Sequence, residues 1–167
     1  NNIDKFIFSS SASIYGQPEY NPVDESHNQS PVNYYGYTKL VIERNLKWFS
    51  DLKGLKYCTL RYFNAAGYDI NERIKGKEVN PQNLIPIVIE VALGYKEHLD
   101  IYGSDYSTKD GTGVRDYIHV SDLATGHITS LDYLSQNNEN LIINLGTGEG
   151  HSVLDVIKMV KKISSRN

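Results

Sequence analysis

Three side chains in the first quarter of the sequence have the types and spacing that proton transfer requires. Tyr35 and Lys39 are four residues apart, so in a helix both side chains leave the same face. A lysine ammonium beside a phenol favours the phenolate, which can act as a base. Ser11 ends a short apolar run, and its hydroxyl can share the proton through a short hydrogen bond. We predict that these three residues deprotonate an alcohol or sugar hydroxyl whose carbon gives up hydride.

The spacing selects one tyrosine among several neighbours. Neither Tyr34 nor Tyr37 has a lysine four residues further on. A tyrosine and a lysine at this spacing are nevertheless common in surface helices, so the pair has a purely structural alternative. The segments around the pair therefore decide between a catalytic and a structural role.

The first part of the chain predicts a strand, a loop, a helix and a second strand. The apolar segment Lys5–Ser10 is typical of a strand buried in a parallel sheet. Three prolines mark Ala12–Val32 as a loop. Helical spacing of apolar residues predicts a helix from Tyr34 to Leu52, which Gly54 ends. The segment Leu55–Phe63 is the next predicted strand.

The rest of the chain continues the alternation of strands and helices. The predicted elements are a helix from Asn83 to Gly94, a strand at Leu99–Tyr102, a loop at Gly103–Asp116, a short apolar segment at Tyr117–Val120, a helix capped by Ser121, a strand at Leu141–Leu145 and a final helix capped by Ser152. This order indicates an α/β fold with a mostly parallel sheet and helices packed on it.

Composition excludes several classes of function. The 167 residues are 40% hydrophobic and 22% charged, with a net charge of -3. We therefore expect no nucleic-acid partner and no membrane association, because there is no basic excess and no apolar run of ~20 residues. The single cysteine, Cys58, favours a reducing, cytoplasmic setting. The five histidines show no ligand spacing, so we expect no metal site.

Five segments in a fixed order resemble the extended short-chain dehydrogenases/reductases. The last two segments narrow the resemblance to the UDP-glucose 4-epimerase family; the five are residues 6–16, 35–39, 60–64, 83–86 and 110–120. The resemblance covers essentially the whole chain but about half of a family member. It implies an incomplete Rossmann-like sheet that lacks the N-terminal dinucleotide-binding βαβ units, with part of the substrate-binding region. The chain starts without methionine, so we expect an internal portion of a longer protein.

The resemblance implies a role for each matching residue. The implied catalytic residues are Ser11, Tyr35 and Lys39. The implied NAD-binding residues are Ser9, Ser11, Tyr35, Lys39 and Phe63. The implied UDP-sugar-binding residues are Ser11, Ala12, Ser13, Tyr35, Asn64, Asn83, Leu84, Asp100, Ile101, Tyr102 and Arg115.

Some of these assignments also have a physical case and a structural alternative. The fork of Arg115 suits a diphosphate, although an arginine in a polar loop can simply be solvated. Asn83 is a candidate helix cap, and Tyr102 could fill a pocket at a strand end. Asn64 follows a strand, and ligands of open α/β sheets lie at the carboxyl ends of strands.

The resemblance implies NAD-dependent interconversion of UDP-glucose and UDP-galactose, in a protein that forms a homodimer. Residues 1–66 would be the C-terminal part of the Rossmann domain with the catalytic motif. Residues 67–167 would supply substrate-binding and sheet-completing segments. We expect the 167-residue chain by itself to be inactive.

Three alternatives were weighed against this function. Sugar-nucleotide 4,6-dehydratases resemble the same pattern but carry an acidic pair after the strand-end hydroxyl, where this chain has Ala12, Ser13 and Ile14. Another UDP-sugar epimerase, acting on a UDP-uronate or UDP-xylose, stays open. So does a non-catalytic α/β fragment that keeps the motifs without a cofactor site.

Overall fold

The computed structural model describes residues 3–74, 76 and 78–164. The strands are β1 (Lys5–Ser11), β2 (Lys56–Tyr62), β3 (Asn64–Ala66), β4 (Val114–His119), β5 (Leu141–Leu145) and β6 (Gly150–Ser152). The helices are α1 (Tyr34–Lys53), α2 (Leu84–Leu93), α3 (Val120–Asn137) and α4 (Val153–Ser164), and Ala12–Ile14 forms a short 3-10 helix.

These elements group into two compact units. Unit 1 is Asn1–Tyr68 with Ile118–Gly148, and unit 2 is Asp69–Tyr117 with Glu149–Asn167. Helix α3 and strand β5 therefore fold with the N-terminal elements, although they lie far along the chain. The division of roles at residues 66 and 67 stays a prediction.

Unit 1 contains a parallel sheet in the order β1-β2-β5. Side chains alternate between the two faces of a strand. On one face, Cys58 and Leu60 of β2 pack with Leu134 of α3 in a fully buried cluster. On the other face, Arg61 binds Glu43 of α1. The helices α1 and α3 therefore cover opposite faces of the sheet, and the predicted α/β fold with a mostly parallel sheet is confirmed.

Helix α1 has the ends that its sequence predicts. The side chain of Asn33, the N-cap, accepts a hydrogen bond from the Gly36 N–H at 2.8 Å. Gly54 ends the helix with φ of 73°, in the left-handed region that glycine tolerates. The helix therefore starts one residue before Tyr35, and the Tyr35–Lys39 pair lies in its first two turns.

A buried ion pair joins α1 to the sheet. Arg61 and Glu43 form two hydrogen bonds, at 2.7 Å and 3.2 Å, and their side chains are 1% and 5% exposed. The Ser10 hydroxyl of β1 donates to the same carboxylate. Burial by itself would lower the pKa of Arg61, but its hydrogen bond and attraction to Glu43 raise that pKa above its ordinary value.

Unit 2 is organised around α4 and a short antiparallel pair. The first three residues of β4 pair with the three residues of β6, and α2 packs against α4. Ser152 caps α4 as predicted, because its Oγ accepts from the Asp155 N–H at 3.1 Å while Asp155 accepts from the Ser152 N–H at 3.0 Å. The ammonium of Lys109 lies 2.7 Å from the Asp155 carboxylate.

Three expectations about local structure were wrong. The segment Leu99–Tyr102 is not a strand, because it has no pairing partner among the described residues. The expected loop at Gly103–Asp116 already contains the start of β4, which β6 stabilises by pairing. The N-cap of α3 is His119 rather than Ser121, since the His119 ring accepts from the Ser121 N–H at 3.1 Å.

Neither a membrane-spanning helix nor a metal-binding cluster occurs among the described residues. None of the helices in that part of the chain is long and apolar enough to cross a membrane. Within residues 3–74, 76 and 78–164, no group of three or more His, Cys, Asp and Glu side chains is arranged to hold a metal ion.

We predict that Arg61→Met lowers the free energy of unfolding by about 3–5 kcal/mol, because it leaves the buried Glu43 carboxylate without its partner. The double variant Glu43→Leu with Arg61→Met should lose less, since it removes both buried charges. Urea unfolding followed by circular dichroism measures this. As a control, Lys47→Met removes an exposed pair with Asp51 and should change stability by about 0.5 kcal/mol or less. A double variant less stable than the single would contradict the assignment.

We also predict a dependence of stability on acid pH. The hydrogen bond from Lys109 lowers the pKa of Asp155 from 3.8 to about 2. Because the folded-state pKa lies below the unfolded one, the stabilisation is present above pH 4 and is lost as the pH falls through 2. Asp155→Asn removes this carboxylate, so between pH 4 and pH 2 the melting temperature of the variant should fall less than that of the wild type. Asp132→Asn, at an exposed carboxylate of α3, should leave the slope unchanged; equal slopes in all three proteins would refute the prediction.

Candidate active site

The carboxyl end of β1 carries Ser11 and turns at once into the 3-10 helix. Ser11 is 8% exposed and is the N-cap of that turn. Its Oγ accepts from the Ser13 N–H at 3.1 Å and donates to Ser13 Oγ at 3.1 Å. Ala12, half-buried, packs against the buried cluster that includes Ile14 and Leu40. The turn therefore fixes the Ser11 hydroxyl at the carboxyl end of β1, and ligands of open α/β sheets lie at the carboxyl ends of strands.

Helix α1 places a cation against the Tyr35 ring, as the spacing predicts. The ammonium of Lys39 donates to the Ser9 carbonyl at 2.9 Å. It lies 5.4 Å from the centre of the Tyr35 ring and 5.2 Å from that of Phe8. An ammonium has three N–H groups, so two of them stay available to other partners. Tyr35 itself is 54% exposed and open to an incoming hydroxyl.

The contact between Tyr35 and Ser11 stays a prediction. Both residues lie in unit 1, Ser11 at the end of β1 and Tyr35 in the first turn of α1. Among the described residues, no hydrogen bond joins the Tyr35 hydroxyl to Ser11. A substrate hydroxyl placed between them could contact both.

Sequence reasoning gave no role to Gly36, which allows α1 to approach the Ser11 turn. A Cβ atom at Gly36 would lie 2.4 Å from the Ser13 carbonyl oxygen and 3.1 Å from Cβ of Pro31. Real Cβ atoms do not tolerate the first distance, so either the helix or the turn would have to move. The only signal in the sequence is a glycine inside the first turn of a helix, where it is otherwise unfavourable.

The remaining implied residues of unit 1 lie at the ends of its strands. Phe63 directly follows β2, and its N–H donates to the Leu145 carbonyl at 3.3 Å. Asn64 is half-buried and begins β3. The side chain of Ser9, near the end of β1, contacts Tyr62.

Within unit 2, Asn83 and Leu84 lie at the start of α2. Asn83 occupies the N-cap position, but its exposed side chain makes no capping hydrogen bond. The expectation that the Asn83 side chain caps α2 is therefore wrong, and its side-chain amide is available for another partner. Leu84 is half-buried.

Asp100 and Tyr102 line a surface cavity of about 280 Å³ that also includes Ile87, Leu99 and the 96–98 segment. Tyr102 is 86% exposed, so the idea that it fills a pocket at a strand end is wrong. Ile101, between them, is 43% exposed. The cavity presents an aromatic ring, a carboxylate and aliphatic side chains to solvent.

Arg115 lies on β4 opposite His151 of β6. Its side chain is exposed, and its NH1 group donates to the Val114 carbonyl at 2.8 Å. Among the described residues, this is the one side-chain hydrogen bond of Arg115, and NH2 and Nε donate to no protein group. A paired strand holds the base of this side chain, which suits binding of an anion by the fork.

A model of the NAD dependent epimerase/dehydratase family matches residues 1–146 of the sequence. The chain belongs to this family. Its membership agrees with the parallel sheet of unit 1.

Known members of the family include close relatives of this chain. The UDP-glucose 4-epimerase of Rhizobium meliloti is 46% identical over 164 residues, which are 98% of this chain and 50% of the relative. The crystal structure of the Brucella ovis UDP-glucose 4-epimerase in complex with NAD has a TM-score of 0.90 at 42% identity, over 95% of this chain and 49% of that one. The Bifidobacterium longum enzyme, solved with NAD+ and UDP, has a TM-score of 0.91 at 41% identity, over 99% and 50%.

The predicted resemblance to UDP-glucose 4-epimerases is therefore confirmed, as is the Rossmann-like fold. The chain spans about half the length of the curated relatives it matches.

We predict that Gly36→Ala lowers the free energy of unfolding by about 1–3 kcal/mol, because the new methyl group overlaps the Ser13 carbonyl. Chemical denaturation measures the loss. Gly113→Ala is a matched control, since its Cβ would meet only an Arg115 nitrogen, at an ordinary contact distance of 3.9 Å. Equal stability of wild type and Gly36→Ala would show that the helix and the turn are not in the contact described.

Proposed function

We propose that the full-length product of the gene encoding this chain is an NAD-dependent UDP-glucose 4-epimerase that interconverts UDP-glucose and UDP-galactose, as in galactose metabolism. The chain would supply the catalytic groups of that enzyme. The observation that carries the proposal is the Tyr35–Lys39 pair of α1, with its ammonium bound to Ser9 and its phenol exposed at the carboxyl edge of the sheet. The names of the relatives supply the substrate.

The residues at this edge fit a nicotinamide cofactor. Lys39 keeps two N–H donors after binding Ser9, and sugar hydroxyls of a ribose are suitable acceptors. The Ser9, Ser11 and Tyr35 hydroxyls and the Phe63 ring would complete the contacts that this chain offers. When bound, NAD would take hydride from the sugar and return it, so no net oxidation occurs.

The chain's own residues would move the proton. Tyr35, as phenolate, would take the proton of the sugar 4-hydroxyl while the hydrogen on that carbon leaves as hydride, giving a 4-keto sugar. The Lys39 ammonium would stabilise the phenolate, and Ser11 would hydrogen-bond the same oxygen of the sugar. After the ketone has turned in the site, the Tyr35 proton would return to its oxygen as hydride adds to the opposite face.

The residues of unit 2 suit a nucleoside diphosphate. Arg115 has the fork that binds two phosphate oxygens at once. Asn83 and Leu84 at the start of α2 would contact the sugar nucleotide. For unit 1, the corresponding role is proposed for Ala12, Ser13 and Asn64. The cavity beside Asp100, Ile101 and Tyr102 offers a ring for stacking and an acceptor for a uracil or ribose donor.

The absence of a carboxylate after Ser11 favours epimerisation over loss of water. A dehydratase needs an acid and a base beside the carbons that lose water. Here the following residues are Ala12, Ser13 and Ile14, and Ile14 is fully buried in the core. Oxidation and reduction at a single carbon need no further acid.

The experiment measures conversion of UDP-galactose to UDP-glucose by the full-length gene product with added NAD. We expect Tyr35→Phe to reduce kcat by roughly 10²–10⁴-fold, since it removes the group that takes the proton. Tyr37→Phe is the matched control, because Tyr37 lies on the same helix and is 53% exposed. It should retain wild-type kcat. An inactive wild type, or an active Tyr35→Phe, would contradict the proposal.

For the 167-residue chain alone we expect no stoichiometric binding of NAD. The chain offers one edge of the cofactor site and spans only half the length of the relatives that bind NAD. Isothermal titration of the chain with NAD measures this. A one-to-one complex would refute the expectation and would support a self-sufficient cofactor site.

A homodimer and a cytosolic setting belong to the same proposal. Support for the dimer comes from large side chains exposed on α1, which are Tyr34, Tyr37, Trp48, Phe49 and Leu52. A group of exposed, large apolar side chains on one helix is typical of a surface that another chain covers. Support for a reducing compartment is the single cysteine, Cys58, which is free and fully buried. Light scattering of the full-length gene product tests the oligomeric state.

A further inference from the structure

Three polar side chains from three elements of unit 1 form a cluster that includes Ser9, whose carbonyl binds the Lys39 ammonium. The Tyr62 hydroxyl of β2 lies 2.8 Å from Ser9 Oγ of β1 and 2.7 Å from His127 Nε2 of α3. Ser9 Oγ lies 3.2 Å from the same ring nitrogen. Neither the sequence patterns nor the proposed proton route gives a role to Tyr62 or His127.

The other nitrogen of His127 determines what the ring offers to this cluster. Nδ1 lies 2.8 Å from the Leu123 carbonyl one turn earlier in α3. A carbonyl only accepts, so Nδ1 carries a hydrogen and the neutral ring presents Nε2 as an acceptor. Nε2 therefore offers its one lone pair to the cluster, and the Tyr62 hydroxyl, at 2.7 Å, is nearer to it than Ser9 Oγ at 3.2 Å. The backbone of α3 holds the ring in this orientation. Tyr62 is half-buried, and burial raises the pKa of its phenol, which keeps the phenol a donor.

The cluster acts on the proposed site through one backbone group. The carbonyl that receives the Lys39 ammonium at 2.9 Å belongs to Ser9, whose side chain is in the cluster. Ser9 is therefore restrained at two points, by the cluster through its side chain and by the Lys39 ammonium through its carbonyl. Lys39 is otherwise held only by weak contacts with two aromatic rings.

We propose that His127 is a positioning residue for the Tyr35–Lys39 pair, acting through Tyr62 and Ser9 on the carbonyl that orients the ammonium. This inference rests on the proposed function for its kinetic consequence, but the hydrogen-bond chain exists without it. The alternative is that His127 merely packs α3 against the sheet. Leu134 of the same helix is fully buried in the core and its side chain only packs against the sheet, so a variant at Leu134 provides the comparison.

The kinetic test uses the full-length gene product with NAD and UDP-galactose. His127→Leu keeps the bulk but removes the acceptor, and should lower kcat roughly 10- to 100-fold because the ammonium loses its orientation. KM should change by less than about twofold, since the orientation matters in the transition state rather than in binding. His127→Gln, whose side-chain oxygen can accept from the same hydroxyls, should recover most of the kcat.

Comparison variants separate positioning from packing. Leu134→Ala should lower the melting temperature but keep kcat at a temperature where it is folded. Tyr62→Phe combined with His127→Leu should be no slower than the slower single variant, because both break the same chain. An unchanged kcat in His127→Leu, or an equal loss of kcat in Leu134→Ala, would overturn the inference.

A structural measurement distinguishes failure of this inference from failure of the proposed function. In crystal structures of the wild type and His127→Leu, we expect the distance from Lys39 Nζ to the Ser9 carbonyl to lengthen beyond about 3.5 Å in the variant. The comparison holds whether or not the wild type epimerises UDP-sugars. An unchanged bond at the wild-type length would overturn the role of His127 even in an active enzyme.

Discussion

The buried ion pair between Glu43 and Arg61 is the interaction on which the geometry of the site depends. Removing two charges from water is costly, and only close geometry with further hydrogen bonds compensates for it. The pair has both, because Ser10 donates to Glu43, and Arg61 donates to the Tyr15 hydroxyl at 2.8 Å. Tyr15 in turn donates to Asn144 of β5. The requirement to satisfy these groups leaves α1 few other registers against the sheet.

The ion pair also positions the candidate catalytic residues, because they lie on the same face of α1 as Glu43. Tyr35, Lys39 and Glu43 are successive residues four apart on α1, so they share a face. Anchoring Glu43 at β1 therefore brings Lys39 to the end of the same strand. On the opposite face, Ser9 is tied to α3. The strand end is thus held from both sides, which suits a site where small displacements lower the rate.

The sequence correctly predicted the features that depend on residues close together in the chain, such as the ends of α1. Helix α1 was expected at Tyr34–Leu52 and lies at Tyr34–Lys53, because caps and periodicity are local. The three-residue strands β3 and β6 were not predicted, and the strand expected at Leu99–Tyr102 does not form, since such short segments depend on partners far along the chain. The same holds for Gly36 and His127. Their roles follow from contacts with residues remote in sequence or in other elements, which spacing alone does not reveal.

We propose that the face of α1 that carries Tyr35 and Lys39 performs the proton transfer. The most direct measurement is a crystal structure of the full-length gene product with NAD and UDP-galactose. We predict that the Tyr35 hydroxyl lies about 2.6–3.2 Å from the 4-hydroxyl of the sugar, with the Lys39 ammonium beside it. A sugar whose 4-hydroxyl contacts a different acid or base, with Tyr35 turned to solvent, would contradict the proposed role of Tyr35.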